Sequence, residues 1–189
     1  MRIIAGDHKG ARLAAPKDRH IRPTSDRTRE ALFNVLAHGV ADFSFVGKRV
    51  LDLFAGTGAL GLEALSRGGS FCIFIDESPA ARGIIRENTQ NLHLAGKTKI
   101  WRRNAGNLGP AGNIAPFDLV FADPPYGKKL GEAALASALE GGWIAPGALV
   151  IVEESAGSHV RLPAQIDHLE TRRYGATQIL IGRAFAADG

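Results

Sequence analysis

Val120-Phe121-Ala122-Asp123-Pro124-Pro125-Tyr126 puts a carboxylate, two prolines and an aromatic ring within seven residues. Val120 and Phe121 favour a buried strand. Pro124 and Pro125 end it, because neither has a backbone N–H and each ring fixes φ. Pro124 also holds Asp123 extended. The expected product is a stiff ledge with a carboxylate at one end and an aromatic face at the other. A flat amino-substituted base could stack on Tyr126. Its exocyclic amine could donate to Asp123 and to the Pro124 carbonyl. Two acceptors there would turn the nitrogen lone pair toward an electrophile. Pro-Pro also marks loops without chemistry, so a second motif has to decide between the readings.

That motif lies upstream. Lys48-Arg49-Val50-Leu51-Asp52-Leu53-Phe54 reads as a strand, Ala55-Gly56-Thr57-Gly58 as a tight turn, and Ala59 to Ser66 as a helix stopped at Gly68-Gly69. Strand, glycine turn and helix open a nucleotide-binding α/β sheet. Glycines let the backbone approach a ligand, and the helix start offers free N–H groups to a carboxylate or phosphate. The third glycine of a dinucleotide site is absent. No Gly-Lys-Ser/Thr follows, which excludes a P-loop. Residues 71–75 predict a second buried strand, ending at Asp76-Glu77 about 20 residues past the turn, where this fold class bonds a ribose. Ser78-Pro79 caps a helix to about Leu94. Thr98 to Trp101 predicts a third strand, which brings Asn104-Ala105 to an adenine. Pro116 to Phe121 predicts the fourth strand, which carries the ledge.

In a doubly wound sheet the fourth strand lies beside the first, and ligands bind outside the strand ends at that switch point. The glycine turn and the ledge then face one crevice. Beyond it come a helix over Gly131 to Leu139, a turn over Trp143 to Gly147 and a fifth strand over Ala148 to Val152, ending at Glu153-Glu154. A hairpin of Leu169 to Tyr174 and Thr177 to Arg183 turns around Gly175.

The front of the chain is different in character. Residues 1–49 hold 10 basic and 5 acidic side chains, against 13 and 14 in the remaining 140, so the net +4 comes entirely from this quarter. A basic arm beside a neutral body suggests a polyanionic partner; a solvated arginine-rich surface is the plainer alternative. Residues 2–5 and 11–14 predict a small hairpin whose tip, with Lys9 and Arg12, could meet phosphates. Thr24 or Ser25 caps a helix from about Asp26 to Ala37, with Ala31, Leu32, Val35 and Leu36 as its apolar face. Arg22, Arg27 and Arg29 cluster at its start, which suits a carboxylate or phosphate partner. An ion pair to Asp26 or Glu30 is the simpler explanation. The 189 residues, 45% hydrophobic, suit one domain. No apolar run is long enough for a membrane span, nor is there a signal peptide. Cys72 is the only cysteine, expected as a buried thiol, and no Cys/His cluster has metal-ligand spacing.

These motifs together carry a family resemblance. Leu51-Asp52-Leu53-Phe54-Ala55-Gly56-Thr57-Gly58 resembles the S-adenosylmethionine motif of class I methyltransferases. Asp123-Pro124-Pro125-Tyr126 resembles the catalytic motif of enzymes that methylate N6 of adenine or N2 of guanine. Arg2-Ile3-Ile4-Ala5-Gly6 and residues 22–34, with Gly61 to Gly68 and Arg173-Tyr174-Gly175, are similar to the bacterial RsmD family, which methylates N2 of one guanine, position 966, in 16S ribosomal RNA. The resemblance implies a Rossmann-like class I methyltransferase fold. That means a mostly parallel, twisted seven-stranded sheet with helices on both faces, a C-terminal antiparallel hairpin and a small N-terminal hairpin and helix (residues 1–47) before a core of residues 48–189. It implies S-adenosyl-L-methionine as cofactor, with S-adenosyl-L-homocysteine as product and no metal. The cofactor residues would be Asp52, Phe54, Ala55, Gly56, Gly58, Asp76, Glu77, Asn104, Ala105 and Asp123. Asp123, Pro124 and Tyr126 would be catalytic, with Lys9, Arg12, Arg22, Arg27 and Arg29 on RNA. The implied partner is 16S rRNA, a 30S subunit or an assembly intermediate, met in the cytoplasm by a monomer and away from any membrane. Asn104 departs from the family, which more often has Asp there. Two other readings stand beside this one: an adenine-N6 methyltransferase on DNA or RNA, and a non-catalytic nucleic-acid-binding module.

Overall fold

A computed structural model describes residues 1–16, 26–40 and 43–185. Seven strands form one sheet in the order β3-β2-β1-β4-β5-β7-β6. β1 (Arg49–Leu53), β2 (Phe71–Ile75), β3 (Thr98–Trp101), β4 (Phe117–Ala122) and β5 (Ile144–Ser155) are parallel. β6 (Ile166–Tyr174) and β7 (Thr177–Ala184) form a hairpin, and β7 pairs antiparallel with β5. The parallel strands read as continuous apolar runs because both faces are covered. Side chains alternate between the faces. Val50, Cys72, Phe74, Leu119, Phe121, Leu149 and Ile151 face one core with α1 (Asp26–His38), α2 (Ala59–Ser66) and α3 (Pro79–Asn91). Leu51, Leu53, Ile73, Ile75, Val120, Val150 and Val152 face the other with α4 (Leu130–Glu140).

Packing is tight where α2 crosses the sheet: a Cβ added at Gly61 would lie 2.5 Å from Phe74 Cε1 and 2.7 Å from Cys72 Sγ. α3 starts as its sequence predicts, with Ser78 Oγ accepting from Ala81 N at 3.2 Å and Pro79 in the first turn. Among the described residues, no helix is long and apolar enough to cross a membrane.

Three local expectations are corrected. The segment Trp143–Gly147 is not a separate turn. β5 begins at Ile144 opposite Phe117, and a register shift before the Leu119–Leu149 pair absorbs Pro146 and Gly147. β5 also runs past Val152 to Ser155, because Glu153, Glu154 and Ser155 pair with Ile179, Gln178 and Thr177 of β7. The buried face of α1 is Arg29, Leu32, Phe33 and Leu36, whereas Ala31 and Val35 are half-buried. Phe33 turns inward because two aromatic rings receive it, Phe45 at 5.4 Å and Phe121 at 5.7 Å between centroids. The expected caps Thr24 and Ser25 lie outside the described residues.

The N-terminal hairpin forms around an Arg2–Arg12 bridge and is docked rather than free. Ile4 N and Ala5 N donate to the fully buried Glu63 carboxylate of α2 at 2.7 and 3.0 Å. Asp7 N donates to the Ser66 carbonyl at 2.8 Å, and His8 N to Ser66 Oγ at 3.0 Å. Ala14 N donates to Asn88 Oδ1 of α3 at 2.7 Å.

Candidate active site

β1, β2 and β4 end side by side. Leu53 is in register with Ile75 and Ala122, so the residues that follow each strand converge. After β1 the chain turns sharply through three left-handed residues: Phe54 at φ 59°, Gly56 at 55° and Gly58 at 77°. A bulky residue with positive φ is uncommon and costs of order 1 kcal/mol or more. The turn is held from β2, where Asp76 Oδ2 accepts from Gly56 N at 2.9 Å and Oδ1 from Ser78 N at 2.8 Å. Beneath it, the buried Asp52 accepts from Gly61 N at 3.0 Å.

A cavity of about 650 Å³ opens between this turn and the ledge after β4. Asp52, Phe54, Ala55, Gly56, Asp76, Glu77, Ala105, Asp123, Pro124 and Tyr126 all line it. The two motifs, more than 60 residues apart in sequence, therefore share one wall. Gly58 does not line the cavity; it caps α2 in the left-handed conformation. Asn104 does not line it either. Its Oδ1 accepts from Gly106 N at 2.8 Å and caps the single turn Ala105–Asn107, which leaves Ala105 as the residue on the wall. That turn needs an acceptor at position 104, which Asn provides as Asp would.

The ledge is rigid. Pro124 is buried, and a Cβ added at Gly131 of α4 would lie 3.4 Å from its Cγ. Tyr126 is tied down at its far end: its hydroxyl donates to Glu153 Oε1 at 2.5 Å and lies 3.1 Å from Thr177 Oγ1. Burial first, then the Glu153 hydrogen bond, push the phenol well above its usual range, so it stays a neutral donor. The length of β5 past Val152 is what places Glu153 here. Replacing Glu153 with Gln is expected to lower kcat/KM for the nucleic-acid substrate about tenfold, the worth of one charge-assisted hydrogen bond. Cofactor affinity should not change. Tyr126→Phe, which removes the hydroxyl and with it the contacts to both Glu153 and Thr177, should lose at least as much, and the double variant no more than Tyr126→Phe alone.

Burial pushes the Asp52 carboxyl from the usual 3.8 up to about 8; the Gly61 N–H opposes this shift and the Asp76 charge adds to it. The folded chain thus keeps a proton that the unfolded chain releases near 3.8. Stability falls as pH rises across the window from about 4 to about 8. Asp52→Asn, which keeps an acceptor for Gly61, should flatten this slope in pH-dependent urea denaturation of the ligand-free protein.

The sequence-predicted basic residues divide. Lys9, Arg12 and Arg27 are exposed. Arg22 lies outside the described residues. The expected exposed cluster does not include Arg29, which is fully buried on the cavity wall. It pairs with Asp26 Oδ1 at 3.0 Å, the simpler of the two explanations for the cluster, and also donates to the Arg2 carbonyl. Residues not foreseen on the wall include Met1 and Arg103. Met1 is there because the hairpin docks, with Thr57 Oγ1 donating to its sulfur at 3.4 Å. Arg103 is engaged elsewhere, donating to the Leu108 carbonyl and stacking on Trp101 and Trp143. Glu153 was open to detection: two carboxylates ending an apolar strand demand partners once buried.

The family described as Conserved hypothetical protein 95, which is the RsmD family, matches residues 1–183. The chain belongs to the RsmD family. Within that family, the Escherichia coli K12 protein named ribosomal RNA small subunit methyltransferase D is 39% identical over 153 residues, 81% of this chain and 74% of that one. YlbH of Bacillus subtilis is 34% identical over 186 residues, 96% of this chain and 97% of its own. The solved structure of Escherichia coli yhhF superposes with a TM-score of 0.83 at 33% identity, covering 99% of both chains. As an RsmD family member, this chain carries the seven-stranded, mostly parallel methyltransferase fold with its C-terminal antiparallel hairpin.

Proposed function

We propose that this protein is a ribosomal RNA methyltransferase that moves the methyl group of S-adenosylmethionine to the exocyclic N2 of a guanine in small-subunit rRNA, with 16S guanine 966 as the family's target. The observation that carries this is the single cavity joining the Gly56 turn to the Asp123–Tyr126 ledge. The name of the Escherichia coli relative supports the rRNA substrate.

The residues fit the cofactor. The left-handed turn brings backbone close to a ligand, Asp76 lies at the end of β2 for ribose hydroxyls, and Ala105 offers an apolar wall to adenine. When bound, S-adenosylmethionine supplies a methyl carbon made electrophilic by its sulfonium. The work left to the chain is to position the amine in line, at roughly 3–3.5 Å, and to exclude water. Tyr126, held by Glu153, stacks the extruded base. Asp123 and the Pro124 carbonyl accept from the amine N–H groups and draw the lone pair out of ring conjugation. The surplus proton leaves to Asp123 or water once the nitrogen is methylated. Lys9, Arg12 and Arg27 contact phosphates. In this reading the partner is naked rRNA, an assembly intermediate or the 30S subunit, met by a monomer in the cytoplasm.

Tritiated methyl transfer to rRNA from an unmethylated strain, followed by mapping of the labelled base, tests the reading. Label on guanine N2 is expected. Label on adenine N6 would convert the assignment to the sister chemistry that shares the ledge, and no label on any RNA or DNA would leave a binding module.

A further inference from the structure

We infer that the buried guanidinium of Arg29 is the anion anchor of the cavity and takes the α-carboxylate at the amino-acid end of the cofactor. This rests on the proposed use of S-adenosylmethionine. Arg29 is fully buried, lines the cavity, and has two nitrogens, Nε and Nη1, with no partner among the described residues. Among the described residues, only Nη2 is engaged, on the Arg2 carbonyl and Asp26. Buried donors of a charged group without acceptors are costly, and the fold keeps them where a ligand completes the set.

The surrounding charge selects the ligand. Asp76, Glu77 and Asp123 line the same cavity, beside the protonated Asp52, and its other arginine, Arg103, is stacked and bonded away. A phosphodiester there would meet several carboxylates and would have to thread both its neighbours into a buried site. A small ligand carrying one terminal carboxylate and cationic groups suits the wall: carboxylate on Arg29, cationic groups among the aspartates. The location agrees. Arg29 is tied to Arg2, and the neighbouring Met1 touches Thr57 in the glycine turn, where the amino-acid end of the cofactor would lie.

The test is calorimetric, on the full chain without RNA, using S-adenosylhomocysteine and its decarboxylated analogue, which keeps adenosine, sulfur and amine. The wild-type protein is expected to bind S-adenosylhomocysteine at least about tenfold more tightly than the analogue. In Arg29→Met that gap should close, with analogue affinity within about twofold of wild type, and Arg29→Lys should restore part of it. An equal gap in wild type and Arg29→Met overturns the inference. So does unchanged S-adenosylhomocysteine binding in Arg29→Met together with a raised KM for RNA in a separate methyl-transfer assay, which would assign the guanidinium to the nucleic acid. Should the Met variant fail to fold, the wild-type gap and the Lys variant carry the decision: no gap, or a Lys variant with the full gap, refutes it. A wild type that binds neither compound refutes the cofactor reading itself, a result distinct from all of these.

Discussion

Asp123→Ala should lower kcat/KM for methyl transfer by about 100- to 1,000-fold, the range for removing one preorganised electrostatic contact to a developing charge, while S-adenosylhomocysteine binding changes by less than about threefold. The separation follows from where Asp123 stands. It leaves β4 beside Leu53, in line with the end of β1, so its carboxylate faces the cavity that the glycine turn closes from the other side. The turn itself is held by Asp76 and Gly61–Asp52 contacts that do not involve Asp123. A conjugated amine has little lone-pair density until its N–H groups meet acceptors. Removing the charged acceptor therefore costs mainly in the transition state and lowers kcat with kcat/KM. Asp123→Asn keeps an acceptor without the charge and should fall between the two. Single-turnover kinetics on the variants decide this, and an Ala variant that keeps a third of wild-type activity would remove Asp123 from the chemistry.

Glu63→Ala should destabilise the protein by about 3–5 kcal/mol, the cost of stranding the partner of a buried ion pair, seen as a drop of roughly 10 °C in Tm. Glu63 is wholly buried, pairs with Arg67 Nε at 2.8 Å and accepts both N–H groups of Ile4 and Ala5. Its loss leaves Arg67, which already has one nitrogen unpartnered among the described residues, and two backbone donors without acceptors. The hairpin would lift from α2 and take with it Met1 on the cavity wall and the Arg2 carbonyl that holds Arg29. Limited proteolysis should cut the variant before residue 16, and methyl transfer should fall although no residue of the ledge has changed. A variant with wild-type melting and proteolysis would mean that the hairpin is held by its apolar contacts alone. Glu63→Gln, which keeps one acceptor, should lose less.

The core strands were legible because parallel strands buried on both faces must be apolar throughout, and each was bounded by glycine, proline or a cap. β2 and β3 match residue for residue. The convergence of Gly56 and Tyr126 was legible too, since it follows from strand order alone. What escaped was decided by tertiary partners. β5 extends to Ser155 only because β7 offers a ladder there, and with that extension comes the Glu153 contact that fixes Tyr126. Phe33 turns inward because Phe45 and Phe121 receive it. Arg29 reads in the sequence as one of a basic cluster; it is buried because α1 packs that side against the sheet. Asn104 carried the right position but not the orientation, because the following turn takes its oxygen.

A crystal structure of the full chain with S-adenosylhomocysteine bound shows whether the glycine turn and the ledge serve one ligand. The amino-acid end is expected between the Ala55–Gly58 turn and Arg29, the ribose on Asp76, and the sulfur directed at the gap between Asp123 and the Tyr126 ring. A ligand seated outside this cavity, or one whose sulfur faces away from Asp123, would contradict that arrangement.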